Sequence, residues 1–110
     1  MSVRIDDVWV KGETWSEIVT CTDAAGQNIS VVSADYRLKT FETDVPVVQL
    51  TQSSGLTISG TSNEICTSII ETTAQASIEP GLYWRRLRVV DSTGAKSRQI
   101  HGFIEVLPED

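Results

Sequence analysis

The sequence is poor in the residues that mark specialised classes of protein. It has two cysteines, one histidine and one methionine among 110 residues, whereas a structural zinc site needs about four Cys or His ligands. No apolar run approaches the roughly 20 residues that span a bilayer. Positive charge is scarce, because 9 Lys and Arg face 15 Asp and Glu, and the net charge of -6 opposes non-specific binding to nucleic acid or to an anionic membrane. We therefore predict no metal, no cofactor, no nucleic-acid partner and no membrane partner.

The remaining composition is that of an ordinary globular domain. Hydrophobic residues make up 40% of the chain, there are 7 glycines and 3 prolines, and no charge block or low-complexity stretch interrupts the sequence. A chain of this length folds as one domain, and we predict a single β-sandwich domain over residues 1–110. The opening stretch MSVRIDDVWVKG lacks the basic start and apolar middle of a secretory signal, so we expect no signal peptide.

Turn residues punctuate the chain about every ten positions, at stretches such as DAAGQN, SGTSN and DSTG. Val, Ile, Thr, Tyr and Trp fill the segments between them, and these residues suit a pleated, half-buried surface. The pattern predicts an all-β fold, namely an antiparallel, Ig-like β-sandwich of seven to eight strands. Strands are expected near residues 4–10, 14–22, 34–42, 47–52, 56–59, 64–70, 82–91 and 97–107. One short helical crossover turn is predicted within residues 71–81, where Pro80 would end it and Ile78 would anchor it in the core.

The last two predicted strands have the clearest alternation between an apolar face and a mixed face. The apolar face predicts the core residues Tyr83, Leu87, Val89, Ile100, Ile104 and Val106. The mixed face carries the aromatic and basic residues Trp84, Arg86, Arg88 and Phe103. Two interpretations of the mixed face stay open, a solvated surface that supports arginine stems and an interaction face, since aromatics and arginine are enriched at protein interfaces. Three arginines in an acidic domain give little support to a nucleic-acid or sugar platform there.

Five other residues are expected in or beside the core. The separation of Cys21 and Cys66 matches that of two cysteines facing each other across an immunoglobulin sandwich. A chain without an export signal is made in a reducing compartment, however, which favours two buried free thiols over a disulfide. Trp9 and Trp15 are expected to anchor the first strands rather than to form a sugar-stacking shelf. Alternation places Arg85 on the inward face, either at the rim of the core or paired with a buried acid.

The sequence contains no enzyme motif that we can identify. It lacks the GxSxG, P-loop, HExxH and dinucleotide-binding patterns. His101 lies in mid-strand with no Ser or Cys nucleophile at a recognisable spacing, and it is expected to be an exposed strand residue. Asp6 with Asp7, and Glu42 with Asp44, are close carboxylates of the kind that occur as solvated turn residues. We predict no catalytic residue, no cofactor-binding residue and no enzymatic activity.

Three stretches of the chain carry a family resemblance. KGETWSEIVTCTDAAGQNI, LTQSSGLTISG and TTAQASIEPGLYWRRLRVVDSTGAKSRQIHGFIEVLP together resemble small β-sandwich structural proteins of tailed phages and prophages, tail and baseplate components among them. The family's closing pattern is Pro-Gly-x-Tyr, Leu, Asp, Gly and a final G-x-apolar-x-Val. The positions that fill it here are Pro80, Gly81, Tyr83, Leu87, Asp91, Gly94, Gly102, Ile104 and Val106. The chain departs from the family at Arg85 and Arg86, where many relatives have an aromatic residue followed by an acid.

The resemblance implies a non-enzymatic structural protein of a phage or prophage, either a tail or baseplate component or a virion accessory protein. Such a protein would act through protein-protein contacts with other virion or tail proteins. It would be found in the virion, or in the host cytoplasm during assembly. Apart from the resemblance, we expect self-association as a homo-oligomer, or docking onto a larger assembly, through unpaired sheet edges and the face of Trp84, Arg86, Arg88 and Phe103. The alternative is a binding module that recognises a glycan or a host-surface protein through exposed loops and the face of Trp84, Arg86 and Phe103.

Overall fold

Eight β-strands make up the regular structure of the described residues. A computed structural model describes residues 5–40, 46–52, 54–71, 75 and 78–108. The strands are β1 (Ile5–Val10), β2 (Trp15–Thr20), β3 (Val31–Lys39), β4 (Val48–Gln52), β5 (Gly55–Ser59), β6 (Ile65–Ile70), β7 (Gly81–Asp91) and β8 (Lys96–Leu107). In this part of the chain there is no helix that is long and apolar enough to cross a membrane.

The strands form one continuous hydrogen-bonded sheet in the order β1-β8-β7-β3-β4-β5-β6-β2. Five of the seven pairings are antiparallel, whereas β1 with β8 and β4 with β5 pair in parallel. The all-β sandwich of seven to eight strands predicted from the sequence is confirmed, with eight strands. The two parallel pairings differ from the expected antiparallel arrangement, because alternation fixes the face that a side chain takes and does not fix strand direction.

The two ends of the sheet lie next to each other. β1 and β2 are at opposite ends of the strand order, yet a short turn joins them and the rings of Trp9 and Trp15 lie 6.0 Å apart. The Trp9 indole N–H donates to the Glu13 carbonyl at 3.0 Å. The Gln75 side chain accepts from the Gly12 N–H at 2.8 Å and donates to the Glu13 carbonyl at 2.7 Å. The sheet therefore curls over itself to enclose a core, and the two indoles anchor the first strands as predicted.

The core is built from the inward faces of this curled sheet. Its buried hydrophobic residues are Trp9, Cys21, Val31, Ala34, Tyr36, Leu38, Val48, Leu50, Leu56, Cys66, Ile70, Ile78, Tyr83, Leu87, Val89, Ile104 and Val106. The core positions predicted on the last two strands are confirmed, with Ile100 partly buried and packed against this cluster. Ile78 is fully buried as expected, while the predicted helical turn falls largely on residues 72–74 and 76–77, outside the described residues.

Candidate functional site

The predicted interaction residues lie together on the outward surface of β7 and β8. Trp84 lies opposite Phe103 in the antiparallel register, and both side chains are partly buried. Arg86 and Arg88 follow on the same face of β7, because the alternate residues between them are buried in the core. The alternation predicted for these side chains is confirmed.

The neighbouring strand β3 extends this surface with two more cations. Arg37 lies opposite Arg86 and Lys39 opposite Trp84, and the Lys39 ammonium is 5.2 Å from the centre of the Trp84 ring, which is a cation–π distance. The sequence alone does not reveal these two residues, because nothing in β3 indicates that β7 will be its neighbour. We define the basic face as Arg37, Lys39, Trp84, Arg86, Arg88, Lys96 and Arg98, which includes six of the 9 Lys and Arg of the chain.

Asp35 places one carboxylate within the basic face. Its Oδ2 accepts from the Arg37 Nε–H at 2.8 Å and lies 3.8 Å from Arg86 Nη2. Its Oδ1 accepts from the Gln49 amide at 3.1 Å. Arg88 lies opposite Asp35 in the register but has no ion-pair partner among the described residues. The face thus keeps an excess of positive charge in a chain whose net charge is -6.

Arg86 is largely enclosed by its neighbours on the basic face. Its side chain is 16% exposed, and its Nε is buried without a hydrogen-bond partner in the described part of the chain. Burial, followed by the positive charges of Arg88 and Arg37, lowers the pKa of Arg86. Arg86 consequently offers less surface to a partner than Arg88, which is exposed.

A β-bulge in β8 completes the basic face. Leu87 lies opposite Ile100 but Arg88 lies opposite Arg98, so Gln99 is an extra residue in β8. Regular alternation from the inward Ile100 would turn Arg98 toward the core, whereas the bulge leaves it exposed beside Arg88. A charged residue two positions before an inward isoleucine is the signal in the sequence that the alternation breaks here.

The Gln99 side chain holds the bulge in place. It accepts from the Thr22 N–H at 2.9 Å and donates to the Thr22 carbonyl at 3.0 Å, so it pairs with both backbone groups of that residue. It also donates to the Ser97 hydroxyl at 2.8 Å. The bulge is thereby anchored to the connection between β2 and β3.

Arg85, the inward arginine of β7, is paired with a buried acid. Its Nη1 lies 2.5 Å from Glu17 Oε2, and the two side chains are 8% and 12% exposed. Of the two alternatives left open by the sequence, the buried ion pair is therefore correct. The Tyr36 hydroxyl and the Trp15 indole N–H are buried without a hydrogen-bond partner among the described residues, and burial together with the negative charge of Glu17 raises the pKa of Tyr36. No signal in the sequence points to Glu17, whose partner lies 68 residues away.

Cys21 and Cys66 are free thiols in the core, as predicted. Their Sγ atoms lie 3.6 Å apart and share a hydrogen bond, and this bond together with burial raises the pKa of Cys66. Cys66 is in β6 and Cys21 directly follows β2, its neighbour, so the two thiols meet within one part of the sheet rather than across the sandwich. Within the described residues, no group of three or more His, Cys, Asp or Glu side chains could hold a metal ion.

The candidate catalytic residues of the sequence occupy varied positions. His101 is exposed on β8, as expected. Asp6 and Asp7 lie within β1, the strand expected near residues 4–10, and not in a turn. Glu42 and Asp44 lie outside the described residues.

The chain has a structural neighbour among solved proteins. No protein-family model matches the sequence, and no curated protein matches it. The fold is similar to that of CopC from Methylosinus trichosporium OB3b, with 14% sequence identity and a TM-score of 0.57 over 99% of this chain and 88% of the CopC chain. At this level of identity the similarity shows the fold alone, which is a β-sandwich-like arrangement.

The predicted role as a phage or prophage structural protein is wrong. The finding against it is the structural neighbour CopC, which has no phage link. The resemblance depended on positions such as Gly81, Tyr83, Leu87 and Gly94, which are turn or core residues of the sandwich. Such residues have structural reasons to occupy their positions, so sharing them does not carry a shared function.

Proposed function

We propose that this chain is a non-catalytic binding domain that docks an acidic segment of a partner protein on its basic face. The observation that carries the proposal is the segregation of charge, since six of the 9 Lys and Arg lie on the outward side of β3, β7 and β8 together with Trp84. Asp35 is shared there by Arg37 and Arg86. The exposed cations Arg88, Lys96 and Arg98 are available to an acidic ligand.

Like charges occupy directly opposed positions on the basic face. Arg37 lies opposite Arg86, and Arg88 lies opposite Arg98. Opposed like charges destabilise a sheet, and Asp35 offsets this between Arg37 and Arg86 but not between Arg88 and Arg98. Carboxylates of a partner would bridge the guanidinium groups through charge-assisted hydrogen bonds and remove the repulsion.

The charge outside the basic face favours a short acidic segment over a long polyanion. Among the described residues, the part of the chain outside this face has two Lys and Arg (8 minus 6) and ten Asp and Glu (11 minus 1). A nucleic acid that extended beyond the basic face would be repelled by this acidic surface. A polypeptide segment would contact the basic face alone, where the Trp84 ring beneath Lys39 offers an aromatic anchor of the kind enriched in interfaces.

Fluorescence anisotropy with a labelled peptide rich in Asp and Glu tests this proposal. We expect saturable binding at about 50 mM salt that weakens strongly by about 300 mM, because contacts between surface charges are screened. Arg88→Gln should weaken binding about fivefold or more, since it removes an exposed cation from the interface. Lys11→Gln is the matched control, because it removes the same charge from the turn between β1 and β2, and it should leave the affinity unchanged.

Two results would contradict the proposal. One is the absence of binding at low salt, and the other is an equal loss of affinity in the Arg88→Gln and Lys11→Gln variants. Tighter binding of a single-stranded oligonucleotide of matched length and charge would identify a nucleic acid, rather than an acidic polypeptide, as the ligand.

A further inference from the structure

One end of the basic face has the composition of a small anion-binding site. Arg88, Lys96 and Arg98 surround a hollow there together with Ser97. All three cations are exposed. We name the three cations Arg88, Lys96 and Arg98 the cationic clamp.

No acidic side chain among the described residues forms an ion pair with either arginine of the clamp. Asp35 lies opposite Arg88 on the side of β3, but its Oδ2 accepts from Arg37 at 2.8 Å and lies 3.8 Å from Arg86. Arg88 and Arg98 consequently have no ion-pair partner in the described part of the chain. The two guanidinium groups repel each other across the strand pair, and an anion between them would remove that repulsion.

Side-chain hydrogen bonds fix the backbone that carries the cationic clamp. Gln99 fixes the bulge beside Arg98 through its two bonds to the connection after β2. The turn that leads into Lys96 is closed by Asp91, whose Oδ1 accepts from the Ala95 N–H at 3.0 Å. A backbone that is already fixed reduces the entropy lost when a ligand binds.

We propose that the cationic clamp binds a phosphate monoester carried by the acidic segment, an inference that rests on the proposed function. A phosphate monoester offers about two negative charges and three terminal oxygens to the three cations, whereas a carboxylate offers one charge and two oxygens. Guanidinium groups bind phosphate oxygens in bidentate pairs, which suits a site with two opposed arginines. The partner recognised by this site is therefore a phosphorylated acidic polypeptide.

Two peptides of equal net charge separate the clamp from the rest of the basic face. One contains a phosphoserine, and the other contains two additional glutamates in its place. We expect the phosphopeptide to bind about tenfold more tightly. Arg98→Gln should reduce the affinity ratio of the two peptides to about one, and Arg98→Lys, which keeps the charge but not the bidentate geometry, should retain part of it. Lys39→Gln is the control outside the clamp, because Lys39 lies over Trp84, and it should weaken both peptides without changing their ratio.

A titration with inorganic phosphate provides a second measurement. The 1H–15N correlation spectrum verifies that each variant is folded, and phosphate should shift the amide signals of Arg88, Lys96 and Arg98 in the native protein but not those of the Arg98→Gln variant. If both peptides bind the native protein equally well, the phosphate site is overturned while the acidic-segment proposal stands. If neither peptide binds but phosphate shifts these signals, the acidic-segment proposal is overturned and the anion site stands. If no ligand binds, both are overturned.

Discussion

Tyr36 brings a hydroxyl into the core beside the buried pair of Arg85 and Glu17. Burying two charges costs desolvation, and removing either partner would leave the other charge uncompensated in the core. The Tyr36 hydroxyl lies near the Trp15 indole and the Glu17 carboxylate, but it forms no hydrogen bond of good geometry among the described residues. The Tyr83 hydroxyl, in contrast, donates to the Glu79 carbonyl at 2.5 Å. The two tyrosines therefore differ in what their hydroxyl groups contribute to stability.

Replacing each tyrosine by phenylalanine should separate these contributions. We expect Tyr36→Phe to leave the free energy of unfolding at pH 7 unchanged or to raise it by up to ~1 kcal/mol, because an unpaired buried hydroxyl is removed. Tyr83→Phe is the control that loses a hydrogen bond, and it should lower the free energy by about 1 kcal/mol. Urea denaturation followed by tryptophan fluorescence measures both changes. A loss above ~2 kcal/mol in Tyr36→Phe would mean that its hydroxyl is bonded in solution.

The free energy of unfolding of the same variants should change with pH in a defined direction. Burial and the charge of Glu17 raise the pKa of Tyr36 in the folded protein above its ordinary value, which is about 10 in the unfolded chain. Above that pH the unfolded chain releases the phenol proton while the folded protein keeps it, so the free energy of unfolding falls as the pH rises. This loss should be smaller in Tyr36→Phe, and the part due to Tyr83, whose pKa is also raised by burial, should remain.

At the scale of the element, one part of the geometry of β8 can be predicted from its own sequence and another part cannot. The inward and outward positions near Phe103 follow from alternation, which is a local property with a period of two residues. Alternation fails at Gln99, because the bulge depends on hydrogen bonds to Thr22, a residue far away in the sequence. Regular alternation therefore assigns Arg98 to the wrong face, and only its charge indicates in the sequence that the pattern breaks there. The cations of β3 are missed for a similar reason, since strand order is set by long-range pairing.

The role of Gln99 in this element can be measured directly. We expect Gln99→Ala to lower the free energy of unfolding by about 1 to 2 kcal/mol, because both backbone groups of Thr22 lose their partner. The Thr22 amide proton should exchange with solvent about tenfold faster or more. Gln49→Ala is the control, since that exposed side chain bonds to Asp35, and it should leave the exchange of Thr22 unchanged. An unaltered Thr22 rate in Gln99→Ala would mean that other contacts hold the bulge.

At the scale of the whole molecule, the positively charged basic face belongs to a chain whose net charge is negative. Identical molecules with complementary surfaces attract one another head to tail, and self-association by this route is the form that we expect of the predicted homo-oligomer. Sedimentation velocity should show a reversible oligomer at about 20 mM salt that dissociates by about 300 mM. Arg88→Gln should weaken the association and Lys11→Gln should not. A strictly monomeric protein at low salt and high concentration would rule this route out.

The parallel pairing of β1 with β8 also determines when, during synthesis of the chain, all eight strands of the sheet can pair. Val10 is the register partner of Leu107, so this contact joins segments from the two ends of the described chain. Contacts between such distant segments close long loops, and proteins rich in them fold slowly. On a ribosome, β1 would emerge early and stay without its partner until β8 had been synthesised. Folding of this chain can therefore be completed only after translation has passed β8.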